Sequence, residues 1–229
     1  MIVGSIKEDL TLEKRVSITP ETAKNIIGLG LKVCIEKNYA SHLGLEDIEY
    51  ENVGVETKAS SSGVLDSSDL IVKVNCPLEN EIKNLKENTI LIGMLNPAKN
   101  KDLISKIIIK KIKTFSLELL PRITRAQSMD VLSSQSNLAG YRAVVESVAE
   151  FEKAVPMMMT AAGTVPAAKI LVIGAGVAGL QAIATAKRLG AIVSATDVRA
   201  ASKEQVESLG GKFLTVEQSE NMETKGGYA

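Results

Sequence analysis

Chemistry in this 229-residue chain is most legible at Gly174-Ala175-Gly176-Val177-Ala178-Gly179, a GxGxxG run. Lys169-Ile170-Leu171-Val172-Ile173 precedes it with the β-branched character of a buried strand. Leu180 to Leu189 follows with good helix formers and no proline. Strand, glycine turn and helix together are the context the motif requires to bind a dinucleotide. The first glycine permits the tight turn, the second lets backbone approach a pyrophosphate, and the third allows close helix–strand packing. The helix N-terminus then offers free N–H groups and a positive dipole end to phosphate. Gly190 ends the helix and Ala191 to Thr196 make the next strand. Asp197 comes roughly 20 residues after the glycines, where an acid binds the adenosine ribose hydroxyls. A carboxylate there repels a 2′-phosphate, so NAD is favoured over NADP. Val198 and Arg199 flank that site, and the arginine charge softens the preference.

A second cluster lies upstream. Pro121-Arg122-Ile123-Thr124-Arg125-Ala126-Gln127-Ser128-Met129-Asp130 gathers two arginines, an amide and a carboxylate. Gln127, Asp130 and Ser133 recur every third residue, which puts them near one face of a helix start. That pattern suits a ligand-facing group. It equally suits a solvated cap, because an acid is favoured at a helix N-terminus. Spacing alone does not choose between these readings.

The elements that position both clusters follow from the apolar pattern. Ile2 to Ile6, Leu31 to Glu36, Leu70 to Val74, Thr89 to Leu95 and Lys113 to Leu120 read as strands. Helical spacing lies between several of them, with Thr19 capping a helix that Pro20 opens. Strands alternating with helices imply βαβ units and a parallel sheet. The expected fold is therefore α/β: a flavodoxin-like N-terminal domain over residues 1–125, then an incomplete Rossmann-type doubly wound domain over 166–229. Residues 126–165 are read as a long helix, breaking near Gly140, and a loop or short helix around Met157-Met158-Met159. Residues 212 to 216 are read as a third strand of the second domain. Only the first mononucleotide-binding half of that domain is expected in this chain, as in a truncated product or one piece of a split subunit.

Composition narrows the function classes. Apolar residues make up 45% and aromatics only 3%, so the cores are aliphatic, as suits helix-covered parallel sheets. Lys plus Arg and Asp plus Glu balance at 27 each, which argues against a nucleic-acid surface. Cys34 and Cys76 lie far apart in apolar runs and read as free thiols. No CxxC or HExxH spacing suggests a metal. No apolar run approaches the roughly 20 residues that cross a bilayer, and the start lacks the basic and apolar pattern of a secretory signal.

The residues 121–130, Asn137-Leu138-Ala139-Gly140-Tyr141-Arg142-Ala143 and the stretch from Ala161 to Gly211 resemble the NAD(H)-binding α subunit of proton-translocating NAD(P) transhydrogenases. The opening Glu13-Lys14-Arg15-Val16 with Thr19-Pro20 is similar to the motif shared with alanine dehydrogenases. The resemblance implies a component that binds NADH and passes hydride to NADP+ held on a partner subunit, coupled to proton passage through a membrane subunit. It implies a homodimer on the cytoplasmic face of the inner membrane, held there by partners. It also implies that Arg122, Gln127, Asp130 and Ser133 contact the nicotinamide and its ribose, and that Tyr228, in Gly226-Gly227-Tyr228-Ala229, closes over bound nucleotide. No acid, base or nucleophile is required, because the protein supplies orientation and electrostatics to two nicotinamide rings.

Alanine dehydrogenase is the rival. Arg15 and Lys73 match its substrate-binding cations, but Asn96-Pro97-Ala98 stands where its catalytic histidine belongs. The one histidine, His42, lies far upstream. Without a proton-transfer group there, reductive amination has no mechanism. Arg15 and Lys73 then read as structural remnants of a shared scaffold.

Overall fold

The computed structural model describes residues 1–121 and 123–215. It divides into two compact units, Met1–Pro121 and Arg122–Ala229.

The first unit runs β1 (Ile2–Ser5), α1 (Pro20–Gly28), β2 (Lys32–Glu36), α2 (Asp47–Glu51), β3 (Glu56–Lys58), α3 (Ser61–Ser67), β4 (Leu70–Asn75), α4 (Glu79–Asn84), β5 (Ile90–Met94), α5 (Lys101–Ile109) and β6 (Lys113–Ser116). All pairings are parallel, in the order β3-β2-β1-β4-β5-β6. The five strands expected from the sequence stand in the flavodoxin-like order 2-1-3-4-5. The short edge strand β3 extends this to the six-stranded doubly wound order. With only three residues, one exposed and two half-buried, β3 has no apolar alternation for a sequence pattern to detect.

Period-2 alternation divides the strands between two cores. Val33 and Ile35 of β2 join Val3, Ile18, Ala23 and Tyr50 on one side. Cys34 of the same strand joins Ile71, Leu91, Val64, Ile82 and Ile107 on the other. Helix α1 starts as its sequence dictates. Thr19 is extended, its Oγ1 accepts from Thr22 N–H at 3.2 Å, and Pro20 needs no donor in the first turn.

The second unit holds α6 (Val131–Phe151), β7 (Met158–Thr160), β8 (Gly163–Val165), β9 (Lys169–Ile173), α7 (Val177–Arg188), β10 (Ile192–Thr196), α8 (Ser202–Ser208) and β11 (Lys212–Phe213). A 3-10 turn over Thr124–Met129 leads into α6. The parallel sheet β11-β10-β9 is covered on one face: Ile170 and Val172 join a core of Val144, Ala182, Ile183, Ala186, Val193, Ala195 and Val206. The other face leaves Leu171 56% and Ile173 80% exposed, and β9 is the sheet edge among the described residues.

Two expectations are corrected here. Residues around Met157–Met159 are neither loop nor helix but the antiparallel hairpin β7–β8. The 3.6-residue pattern fails there because the segment is exposed on both sides. Helix α6 also continues through Gly140 unbroken. A Cβ built on Gly140 would lie 2.0 Å from the Ala178 carbonyl oxygen, so this glycine lets α6 approach the first turn of α7.

Candidate functional site

The glycine turn lies between β9 and α7. Gly174 takes φ +92°, which favours glycine, and its N–H donates to Thr196 O at 2.8 Å. That bond ties the turn to the end of β10, where Asp197 begins the next loop. A Cβ on Gly179 would sit 1.8 Å from the Gly174 carbonyl oxygen, so the third glycine is required by the turn's own backbone.

Gly176 is different. Its φ is −75°, open to any residue, and a Cβ built there meets only Arg199 Nη2, at 3.9 Å. Nothing in the fold calls for glycine at this position. The glycine leaves exposed room over the N-terminus of α7, whose first-turn N–H groups have no partner inside the helix. A cradle of this kind fits the pyrophosphate of a dinucleotide. Val177, the first residue of α7, is 43% exposed beside it.

Asp197 faces the same turn. Ala175 N–H donates to its Oδ2 at 2.6 Å, and Arg199 N–H donates to Oδ1 at 2.8 Å. The Arg199 side chain adds Nε to Oδ1 at 3.0 Å and Nη2 to Oδ2 at 3.1 Å. The guanidinium, with the two backbone donors, holds this carboxyl down to about 2. It is ionised at any physiological pH. Val198 between them is 40% exposed.

The upstream cluster is arranged for a helix start. Asp130 caps α6, accepting from Ser133 N–H at 2.9 Å and from Ser133 Oγ at 2.7 Å. Gln127 lies in the 3-10 turn and is exposed, contributing its carbonyl to Asp130 N–H at 3.2 Å. The structure thus joins Gly174, Ala175, Gly176, Asp197 and Arg199 in one turn. It joins Asp130 and Ser133 in a cap. Arg122 and Tyr228 lie outside the described residues. Sequence reasoning missed Gly140 as a support of this site. The available signal was a lone glycine inside an otherwise unbroken run of helix formers.

The first unit has a cleft of about 330 Å³ lined by Glu8, Glu13, Lys73, Asn75, Glu81 and Asn96, among others. It lies beyond the carboxyl ends of β1, β4 and β5, where the strand order reverses. Its cation is spoken for. Lys73, 4% exposed, pairs with Glu81 at 3.0 Å and with Glu8 at 3.5 Å. Burial raises the Glu8 carboxyl despite Lys73 beside it. Arg15 is held by Glu13 through Nε at 2.8 Å and Nη2 at 2.6 Å, and that pairing pulls the Glu13 carboxyl down to about 2. Asn96 replaces a proton-transfer group, and exposed His42 reaches only the Lys14 carbonyl, at 2.8 Å.

Sequence comparison agrees with this division of labour. The alanine dehydrogenase/PNT N-terminal domain profile matches residues 4–139, and the corresponding C-terminal domain profile matches residues 143–226. The chain belongs to the alanine dehydrogenase/PNT family. The first of the chains that make up NAD(P) transhydrogenase subunit alpha in Rhodospirillum rubrum is 50% identical over 236 residues, covering 100% of this chain. This chain spans 62% of that relative's length. The crystal structure of transhydrogenase from Sinorhizobium meliloti matches with a TM-score of 0.90 at 50% identity, covering 94% of this chain and 64% of that one. Alanine dehydrogenase of Methanococcus maripaludis is more distant, 30% identical over 218 residues, 94% of this chain and 58% of its own. Among the described residues, no helix is long and apolar enough to cross a membrane.

Proposed function

We propose that this chain is the NAD(H)-binding portion of an alpha component of an NAD(P) transhydrogenase. The observation that carries the reading is Gly176: a glycine its own fold does not require, open at the start of α7 and next to an ionised Asp197. In this reading the α7 N-terminus and the turn amides hold the pyrophosphate, and Asp197 holds the adenosine ribose hydroxyls while repelling a 2′-phosphate. Ala175, Val177, Val198 and Arg199 line the approach. Bound nicotinamide supplies the hydride. Arg122, Gln127, Asp130 and Ser133 orient it, with the cap at α6 keeping the loop in place, and Tyr228 covers the nucleotide.

The acceptor is NADP+ on a partner subunit, and a membrane subunit couples the transfer to proton movement. The component is a homodimer, peripheral to the cytoplasmic face of the inner membrane. The 50% identity to a transhydrogenase alpha chain supports this reading over an alanine dehydrogenase one, as does the internally paired Lys73.

Calorimetric titration with NADH and NADPH tests the binding step. Saturable NADH binding, weaker NADPH binding and loss of NADH affinity in Asp197→Ala are expected. Equal affinity for the two nucleotides, or binding indifferent to Asp197→Ala, overturns the assignment. Little or no hydride transfer is expected from this chain by itself. Robust turnover when it is mixed with membrane partner components would overturn that expectation.

A further inference from the structure

Asp197 has its acceptor sites filled. A carboxylate offers about four lone-pair positions. Here four N–H donors take them: the backbone of Ala175 and Arg199, and Nε and Nη2 of the Arg199 side chain. The two backbone bonds belong to the fold of the turn. The two guanidinium bonds belong to a side chain that can rotate away. A ribose with free 2′- and 3′-hydroxyls brings two O–H donors, the number the guanidinium now supplies, one to each oxygen.

Arg199 also occupies the way in. Its Nη2 is the atom met by a Cβ built on Gly176, at 3.9 Å. Its side chain is only 18% exposed, so it is seated over the turn rather than extended into water.

Resting on the NAD(H) reading above, we infer that Arg199 is a specificity-determining residue that stands in for the ribose diol. A nucleotide with free hydroxyls binds by displacing the guanidinium from Asp197, and the displaced cation is the group that a 2′-phosphate engages. Arg199 thus lowers affinity for NAD(H) and supports the residual affinity for NADP(H).

At pH 7.5 this exchange is not confounded by protonation. Asp197 sits at about 2 with Arg199 in place, and its ordinary value is 3.8, so the carboxylate stays ionised when the arginine is removed. The variants therefore read hydrogen bonding and cation placement, not a change in the acid's charge.

NADH and NADPH are suitable probes because they differ only in the 2′-phosphate. Binding to the full chain is followed by nicotinamide fluorescence at fixed ionic strength, with the fold of each variant checked by circular dichroism. Arg199→Gln is expected to tighten NADH about three- to tenfold and weaken NADPH by a similar factor, as for removal of one partly exposed ion pair. Arg199→Lys keeps the cation but not the bidentate fork. It is expected to tighten NADH while leaving NADPH near wild type, and it carries the test if Arg199→Gln does not fold. Parallel weakening of both nucleotides would make Arg199 a plain support of the site and overturn the inference, as would no change in either. In both cases NADH binding by the wild type leaves the NAD(H) reading standing. Absence of NADH binding by the wild type overturns both.

Discussion

Gly176 and Gly179 belong to one motif, yet the structure assigns them opposite duties. In Gly179→Ala, the new Cβ lies 1.8 Å from the Gly174 carbonyl oxygen and 2.8 Å from its carbon. The obstacle is backbone in a residue fixed at φ +92°, so it cannot rotate away. Overpacking of this kind costs about 1–3 kcal/mol. The better helix propensity of alanine returns about 1 kcal/mol of that. The expected result is a less stable second unit, with melting lowered about 4–8 °C per net kcal/mol lost. Gly176→Ala meets only a guanidinium nitrogen at 3.9 Å and has an ordinary φ. Its gain of about 0.4–1 kcal/mol from a stiffer unfolded chain is offset by a poorer helix cap, leaving stability nearly unchanged. Its methyl group stands where the phosphate should approach. Losing one charge-assisted hydrogen bond of about 1.5–3 kcal/mol weakens NADH at least tenfold. Thermal unfolding and NADH titration on the two variants give the readout. Wild-type affinity in Gly176→Ala would refute the claim that this glycine serves a ligand. Wild-type stability in Gly179→Ala would refute the close backbone approach.

Two further outcomes concern the first unit. Lys73→Met leaves Glu8 and Glu81, 6% and 14% exposed, without their shared cation. Removing one partner of such a group costs about 3–5 kcal/mol. Burial already raises the Glu8 carboxyl, and loss of Lys73 raises it further. A raised carboxyl favours the folded state below its ordinary value of 4.5, and that contribution is lost as pH rises through the folded value. Urea unfolding of Lys73→Met should therefore show a large deficit at pH 8 and a smaller one at pH 5, and equal deficits would contradict the pairing. Burial also pushes the Cys76 thiol up to about 11. Its reaction with iodoacetamide in the native protein at pH 7.5 should be much slower than in urea, since the thiolate is the nucleophile. Native and denatured rates that agree would refute that burial.

Much of the fold was legible because its signals are local. Thr19-Pro20 writes its own helix start, and Lys169–Ile173 is a strand with the bounds its β-branched run suggests. Gly174 and Asp197 were legible because a tight βα turn and a ribose-binding acid recur at fixed spacing. Short elements were not legible: β3 has three residues and α4 six, too few for either period to show. The hairpin β7–β8 was missed for a different reason. Its methionines are exposed, so they carry hydrophobic letters without a buried face to give them a period.

By itself, the sequence determined the parallel α/β character, the glycine turn and the acid that follows it, because these depend on periodicity and on backbone needs within a few residues. The tertiary structure decided which charges are committed. Lys73 and Arg15 look like paired substrate cations in the sequence, but the fold brings Glu8 and Glu81 to one and Glu13 holds the other. Asp130 looks like a ligand group, and the turn it ends makes it the cap of α6. Gly140 looks like a helix break until the backbone of Ala178 is set against it. Each of these depends on atoms brought close by packing, and a contact across tens of residues leaves no period in the chain for a reader to find.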